Sequence, residues 1–295
     1  MKWQDRRQSD NVEDRRESSG GGGGRGLPSI GMMFMIWPLV KPLLRSKFGL
    51  MVVGVGALAY FSGFNPLSLV GMGGGASAPK NKAQDDKEAA FMSTVLADTE
   101  DVWREILPKY NLRYRAPKMV LYRGSTRSGC GHASAQMGPF YCPADQKVYL
   151  DLGFFDELAR KHDARGDFAQ AYVLAHEIGH HVQNMQGTLD KVQKMKHQVR
   201  SESEANKLQV RVELQADCYA GVWAHHAQKR FRILEEGDIQ EALNAASKIG
   251  DDALQKEATG HVRPDGFTHG SSRQRVAWFK EGFVKGDLRA CNTFK

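Results

Sequence analysis

The chain has 295 residues, 41% of them hydrophobic, which suits one soluble domain of ordinary size with additional segments outside it. Four cysteines are too few for a small disulfide-rich scaffold, and apolar residues are too scarce for a polytopic membrane protein. The net charge of +7 is dispersed along the sequence, so we expect no nucleic-acid-binding surface.

The N-terminal segment is polar and rich in glycine. Residues 1–29 mix both charges with serine and a run of five glycines, and their few apolar residues cannot offset the entropy lost on ordering. The following stretch is apolar, but Pro38, Lys41 and Pro42 interrupt it. We therefore predict that residues 1–47 form a disordered tail followed by a lead-in at the membrane interface.

Phe48–Phe64 contains no charged residue over 17 positions, the lower limit for a helix that spans a membrane. Glycines such as Gly54 and Gly56 weaken a soluble helix but are common in membrane helices, which argues against the alternative of a buried core helix. We interpret the segment as a single transmembrane helix that serves as an uncleaved signal anchor.

The charges around this segment predict its orientation. Lys41, Arg45 and Lys47 precede it, whereas residues 65–79 contain no cation. By the positive-inside rule, the N-terminus lies in the cytoplasm and the larger C-terminal part lies in the periplasm, outside the inner membrane. A cleaved signal peptide is the alternative, because residues 76–78 (Ala-Ser-Ala) have the form of a cleavage site, but the region before the apolar segment is too long for a signal peptide.

All four cysteines follow the apolar segment, which would place them in an oxidising compartment. We predict a Cys130–Cys142 disulfide, which closes a short hairpin loop, and a Cys218–Cys291 disulfide, which attaches the C-terminal tail to a helix. Free buried thiols are the alternative.

Residues 65–87 have the composition of a linker, and we predict a domain at residues 88–295. The apolar spacing from Phe91 onward predicts a first amphipathic helix. Two β-rich runs, Lys118–Tyr122 and Lys147–Asp151, then predict a small sheet. Strands followed by helices indicate an α+β fold. The predicted later helices are Phe168–Asn184, Leu189–Leu208, Val210–Arg230, Asp238–Ile249 and Ser272–Val284.

The first of these later helices contains the sequence His176-Glu177-Ile178-Gly179-His180. Residues four apart are neighbours on one helix face, so both imidazoles can bind one metal ion while Glu177 lies beside them. This spacing is typical of zinc hydrolases. The alternative is a pair of histidines on a solvated helix face.

A catalytic zinc site usually has three protein ligands and leaves a fourth position to water. Glu213 and Asp217 are again four residues apart, in an apolar run where a carboxylate needs a metal or a hydrogen-bond partner. We predict that Glu213 is the third ligand and that Asp217 accepts the free N–H of a ligand histidine. An ordinary solvated glutamate is the alternative.

These motifs resemble those of the gluzincin metallopeptidases, and the wider sequence resembles the bacterial family of neutral zinc metallopeptidases. The resemblance implies a membrane-anchored peptidase with a zincin-like domain, in which His176, His180 and Glu213 bind Zn²⁺. It implies Glu177 as the general base and Asp217 as the partner of a ligand histidine. The segments that carry the resemblance are residues 2–16, 138–143 (GPFYCP), 176–183 (HEIGHHVQ), 213–218 (ELQADC) and 268–272 (THGSS).

Peptide hydrolysis also needs a group, besides the metal, that stabilises the developing oxyanion. We predict His269 for this role because it lies between a loop and the next helix, where it could reach across a cleft; Tyr219 and His181 are alternatives. We expect Gly138–Cys142 to form an exposed sheet edge that holds substrate as an added strand, or else a structural hairpin.

The sequence therefore predicts a membrane-anchored zinc endopeptidase that acts on a peptide or protein substrate, with Glu177 accepting a proton from a zinc-activated water. The alternative is a non-catalytic zinc- or peptide-binding module anchored in the cell envelope. Glu177 argues against this alternative, because a structural zinc site needs no base. A function confined to the short N-terminal tail is a further alternative.

Overall fold

The computed structural model of the protein describes residues 1–17, 82–134, 137–161 and 166–295. The predicted anchor, Phe48–Phe64, lies outside the described residues. Within the described ranges, no helix is both long enough and apolar enough to cross a membrane.

The main sheet has four strands in the order β1 (Val12–Asp14), β2 (Lys118–Tyr122), β6 (Lys147–Asp151) and β5 (Phe140–Cys142). Neighbours β1 and β2, and β2 and β6, are parallel, whereas β5 is antiparallel to β6 and forms one edge. A separate hairpin joins β3 (Ser125–Ser128) to β4 (Gly131–Ser134). The two predicted strands are confirmed at their predicted bounds, and so is the α+β class.

The helices pack mainly against one another, with the long α3 and α5 at the centre, and residues of β2 and β6 join the same hydrophobic core. The predicted helix at Leu189–Leu208 is interrupted, because α5 begins at Glu202, where the Ser201 side chain accepts the Glu204 backbone N–H. The helices α2 and α7 were not predicted. The bounds are α1 Lys82–Ile106, α2 Leu152–Lys161, α3 Asp167–Met185, α4 Thr188–Lys196, α5 Glu202–Phe231, α6 Asp238–Lys248, α7 Asp251–Thr259 and α8 Ser272–Lys285.

Glycines allow three helices to approach one another closely. A Cβ on Gly179 of α3 would lie 3.0 Å from the carbonyl oxygen of Ala216 on α5, so a larger residue would push these helices apart. At the crossing of α5 and α8, a Cβ on Gly221 or Gly282 would overlap the backbone of the other helix. These contacts bring side chains of α3, α5 and α8 together in one buried cluster.

Residues 1–17 are folded onto the domain, so the prediction of a disordered tail is wrong for this stretch. Strand β1 extends the sheet beside β2. Arg6 contacts Asp98 at 2.5 Å, and Arg7 donates two hydrogen bonds of 3.1 Å to Glu100. Composition suggested solvated charges, but both carboxylates lie on α1 and are almost fully buried, and they supply the partners that order the segment.

Both predicted disulfides are present. Cys130–Cys142 links the turn between β3 and β4 to β5, with 5.8 Å between the Cα atoms. Cys218–Cys291 links α5 to a short turn at Leu288–Cys291 near the C-terminus, with a Cα separation of 5.5 Å. The first bridge therefore fixes the edge strand, and the second fixes the chain end.

Candidate metal centre

Three predicted ligands meet between α3 and α5. Glu213 Oε2 lies 3.2 Å from His176 Nε2 and 3.4 Å from His180 Nε2. All three ligand atoms lie within 4.8 Å of one another, and the three side chains are largely buried. The cluster arises because α3 presents its histidines one turn apart, opposite the face of α5 that carries the glutamate.

The donor set and its spacing fit zinc. Protein nitrogen and oxygen ligands bind zinc at about 2.0–2.1 Å in a tetrahedron, which places neighbouring ligand atoms about 3.3 Å apart. The two Glu213–histidine separations have this value. Two neutral imidazoles and one carboxylate also make the three-ligand set that leaves a fourth position for substrate or water.

Each histidine presents Nε2 because its Nδ1–H is held by another residue. Nδ1 of His176 donates to Asp217 Oδ1 at 2.8 Å, as predicted for Asp217. Nδ1 of His180 donates to Gln183 Oε1 at 2.9 Å. These bonds select the tautomer that leaves Nε2 unprotonated for a metal.

Asp217 is held by two residues that the sequence analysis missed. Arg275 of α8 donates from Nε and Nη2 to the two carboxylate oxygens, both at 2.9 Å, and the Tyr172 hydroxyl donates to Oδ1 at 2.6 Å. Burial opposes ionisation of Asp217, but Arg275 and His176 lower its pKa to about 2. The carboxylate is therefore charged and fixed, as a partner of a metal-bound histidine needs to be.

A buried aspartate predicts a cationic partner, and this was the one signal that could have led to Arg275. The sequence offers Arg273 as well, two residues earlier, and the structure leaves that side chain exposed. The choice between them depends on how α8 crosses α5, which no local pattern reveals. Gly221 and Gly282 set this crossing.

Glu177 lies beside the ligands without joining them. It is 7% exposed and lines the cleft described below. Burial raises its pKa, while the nearby histidines and a hydrogen bond from the Tyr141 backbone N–H counteract that rise. A carboxylate with a raised pKa, next to three candidate ligand atoms, has the position and basicity of a general base.

An open cleft of about 850 Å³ leads to the centre. Strand β5 lines it together with Gly138 and Pro139, and β5 is the edge strand of the sheet. The side chains of α3 and β5 are tied together, because Asn184 donates to the Tyr141 hydroxyl at 2.9 Å. The predicted sheet edge therefore runs along the cleft that contains the metal-binding residues.

His269 also lines this cleft, with a half-exposed side chain. Its Nδ1 lies 3.2 Å from Asp251 Oδ1, and Asp251 also accepts the backbone N–H groups of residues 268–270. The two alternatives lie outside the cleft lining. His181 bonds to the Arg115 carbonyl, and the Tyr219 hydroxyl donates to Gln186.

Comparison with known proteins agrees with this chemistry. The family model described as "Putative neutral zinc metallopeptidase" matches residues 1–294. The Escherichia coli K12 protein named "Uncharacterized protein YpfJ" is 48% identical over 300 residues, covering 100% of this chain and 99% of the relative. "Uncharacterized protein Rv2575" of Mycobacterium tuberculosis H37Rv is 43% identical over 203 residues, covering 65% of this chain and 66% of that protein. No solved structure matches the chain significantly.

Proposed function

The chain belongs to the family of neutral zinc metallopeptidases, and from this premise we propose that it is a zinc-dependent endopeptidase with Glu177 as its general base. The observation that carries the proposal is that His176, His180 and Glu213 place one ligand atom each within 4.8 Å of the others, beside a buried carboxylate in an open cleft. Endopeptidase action suits a cleft that is open along the edge strand, since an internal stretch of peptide can lie there.

The residues divide the chemistry between them. When bound, zinc supplies a Lewis acid that polarises the scissile carbonyl and lowers the pKa of water to about 7. Glu177 accepts the proton of the attacking water on its carboxylate and returns it to the leaving amine. The Tyr141 N–H opposes the rise in the pKa of this carboxylate and so favours the ionised form that accepts the proton.

His269 and β5 bind the reacting peptide. Asp251 orients the His269 imidazole through Nδ1, so that Nε2 can face the cleft and donate to the developing oxyanion. The free edge of β5 offers backbone N–H and C=O groups to an added substrate strand. Both contacts place the scissile bond between the metal ligands and Glu177.

Zinc analysis and proteolysis with the purified full chain test this proposal. We expect about one zinc per chain, as for a three-ligand catalytic site, together with cleavage of casein or of quenched internal peptides. A chelator should abolish cleavage, and added zinc should restore it. Stoichiometric zinc without cleavage of a broad peptide library would contradict the proposal and favour the non-catalytic binding module.

We also propose that the peptidase domain lies in the periplasm at the inner membrane, where its two disulfides form readily. This proposal differs in one respect from the orientation predicted from the charges. Residues 1–17 pair with β2 and contact α1, and Glu17 lies 3.2 Å from Lys82. These contacts support an N-terminus on the same side of the membrane as the domain.

Cysteine labelling checks this location. Asp10 and Lys256 are exposed, one in the N-terminal segment and one in the domain, and native cysteines are paired. We expect Asp10→Cys and Lys256→Cys each to react with a membrane-impermeant maleimide in cells with a permeable outer membrane. Labelling at position 256 alone would favour the orientation predicted from the charges, with the N-terminus in the cytoplasm and the domain in the periplasm. Labelling at neither position before lysis would place the domain in the cytoplasm.

A further inference from the structure

One wall of the cleft ends in a lysine. Lys196, the last residue of α4, lines the cleft together with Gln209 and Glu213 of α5. Helix α4 is fixed in this position because Val192 packs against Leu208 and Val212 of α5. The lysine is therefore part of a rigid wall.

A short chain of hydrogen bonds connects this lysine to the metal centre. The Lys196 ammonium donates to Gln209 Oε1, and Gln209 Nε2 donates to Glu213 Oε1 at 2.7 Å. The other oxygen of Glu213 faces the two ligand histidines. One amide group thus separates the cation from a metal ligand, which places the cation within reach of the residues that flank a scissile bond.

Among the residues that the structure describes, Lys196 has no carboxylate partner. In the described part of the chain, no acidic side chain lies within ion-pair distance of its Nζ, and Gln209 fills one of its three donor directions. Partial burial lowers its pKa, an effect that Glu213 opposes across the amide. Desolvation of an unpaired cation is unfavourable, so binding a carboxylate here would be favourable.

Other residues of the cleft lining are apolar. Met137, Phe154, Leu158 and Leu254 are among them, and Met137 and Leu254 are exposed apolar side chains. An apolar substrate residue suits these side chains, whereas Lys196 adds a single basic position on the α4 wall. The cleft therefore offers both apolar contacts and a basic group to a substrate.

We propose that Lys196 forms a substrate subsite that binds a carboxylate, either of an acidic side chain or of a C-terminus close to the cleaved bond. The proposal rests on the peptidase function and names a preference within it. A charge-assisted hydrogen bond at this site favours the carboxylate over its amide by about tenfold or more.

Matched peptides test the subsite in the zinc-loaded full chain. Each pair differs only by Glu or Gln at one position around the cleaved bond, and a second set compares C-terminal carboxylate with C-terminal amide. We expect one position to favour the carboxylate about tenfold in kcat/KM. Lys196→Met should remove this preference, so that the Glu and Gln peptides are cleaved with equal kcat/KM.

Two lysine variants serve as controls. Lys196→Arg keeps the charge and should keep the preference, and Lys194→Met removes an exposed lysine of the same helix that does not line the cleft. Zinc content measured for every variant shows whether the bond from Gln209 still supports Glu213. A preference that survives in Lys196→Met with full zinc would overturn the proposal.

Binding separates this proposal from the peptidase function itself. In the Glu177→Gln background, fluorescence anisotropy reports the affinity of the same labelled peptides without cleavage. A carboxylate preference that disappears with Lys196→Met supports the subsite, even if the wild-type chain cleaves nothing. Equal affinities for the acid and amide peptides in the Glu177→Gln protein with Lys196 intact would refute it.

Discussion

Replacement of Glu177 by glutamine is expected to lower kcat/KM by about 10³-fold without loss of zinc. The amide has the same shape and can still accept the hydrogen bond from the Tyr141 N–H, so the local structure should persist. It cannot accept the proton of the attacking water. Glu177 is also outside the ligand cluster of His176, His180 and Glu213, so metal affinity should be unaffected.

Cleavage rates and metal content, measured on the same protein sample, check this result. His269→Ala is the informative comparison, because it should lower kcat by about 10²-fold, as expected for loss of one oxyanion donor, also with zinc retained. A Glu177→Gln protein with wild-type activity would remove the general base from the proposal. A wild-type kcat in His269→Ala would show that another group stabilises the oxyanion.

The cluster of candidate ligands was predictable because its sequence signal is local. The spacing of His176 and His180 has a direct meaning on a helix, and so does that of Glu213 and Asp217. Burial of an apolar run that contains acidic residues then requires a partner for each carboxylate. Beyond the sequence, the structure shows that the two helices lie side by side. They can approach closely because Gly179 has no side chain to contact Ala216.

The residues that the sequence did not reveal make contacts with residues far away in the sequence. Arg275 reaches Asp217 from a helix whose position depends on Gly221 and Gly282, and neither glycine has a distinctive local pattern. In the sequence, nothing distinguishes Lys196 from the other lysines of a charged helix. Its significance appears only when α4 packs on α5 and places the ammonium in the cleft.

The N-terminal segment shows where composition misleads. Residues 1–17 have too few apolar side chains to fold alone, and composition cannot identify a template elsewhere in the chain. Strand β2 supplies that template, and α1 supplies buried acids that neutralise the cations of the segment. Glu100 is the most connected of these acids, since Arg7, Ser9 and Asn11 all donate to it.

Replacement of Glu100 by alanine should therefore lower the free energy of unfolding by about 3 kcal/mol, because several hydrogen bonds to one buried charged group are lost together. Glu105 on the same helix is the control. It is exposed and pairs with Arg230, so Glu105→Ala should cost at most about 1 kcal/mol. Urea unfolding of the purified full chain measures both values.

The same substitution should release the N-terminal segment locally. Trypsin should cleave after Arg6, Arg7, Arg15 or Arg16 faster in Glu100→Ala than in Glu105→Ala, since these bonds become accessible once the segment detaches. If residues 1–17 instead lay across a membrane from the domain, the two variants would show the same cleavage. Equal stability and equal cleavage would therefore remove the basis for placing the N-terminus and the peptidase domain in one compartment.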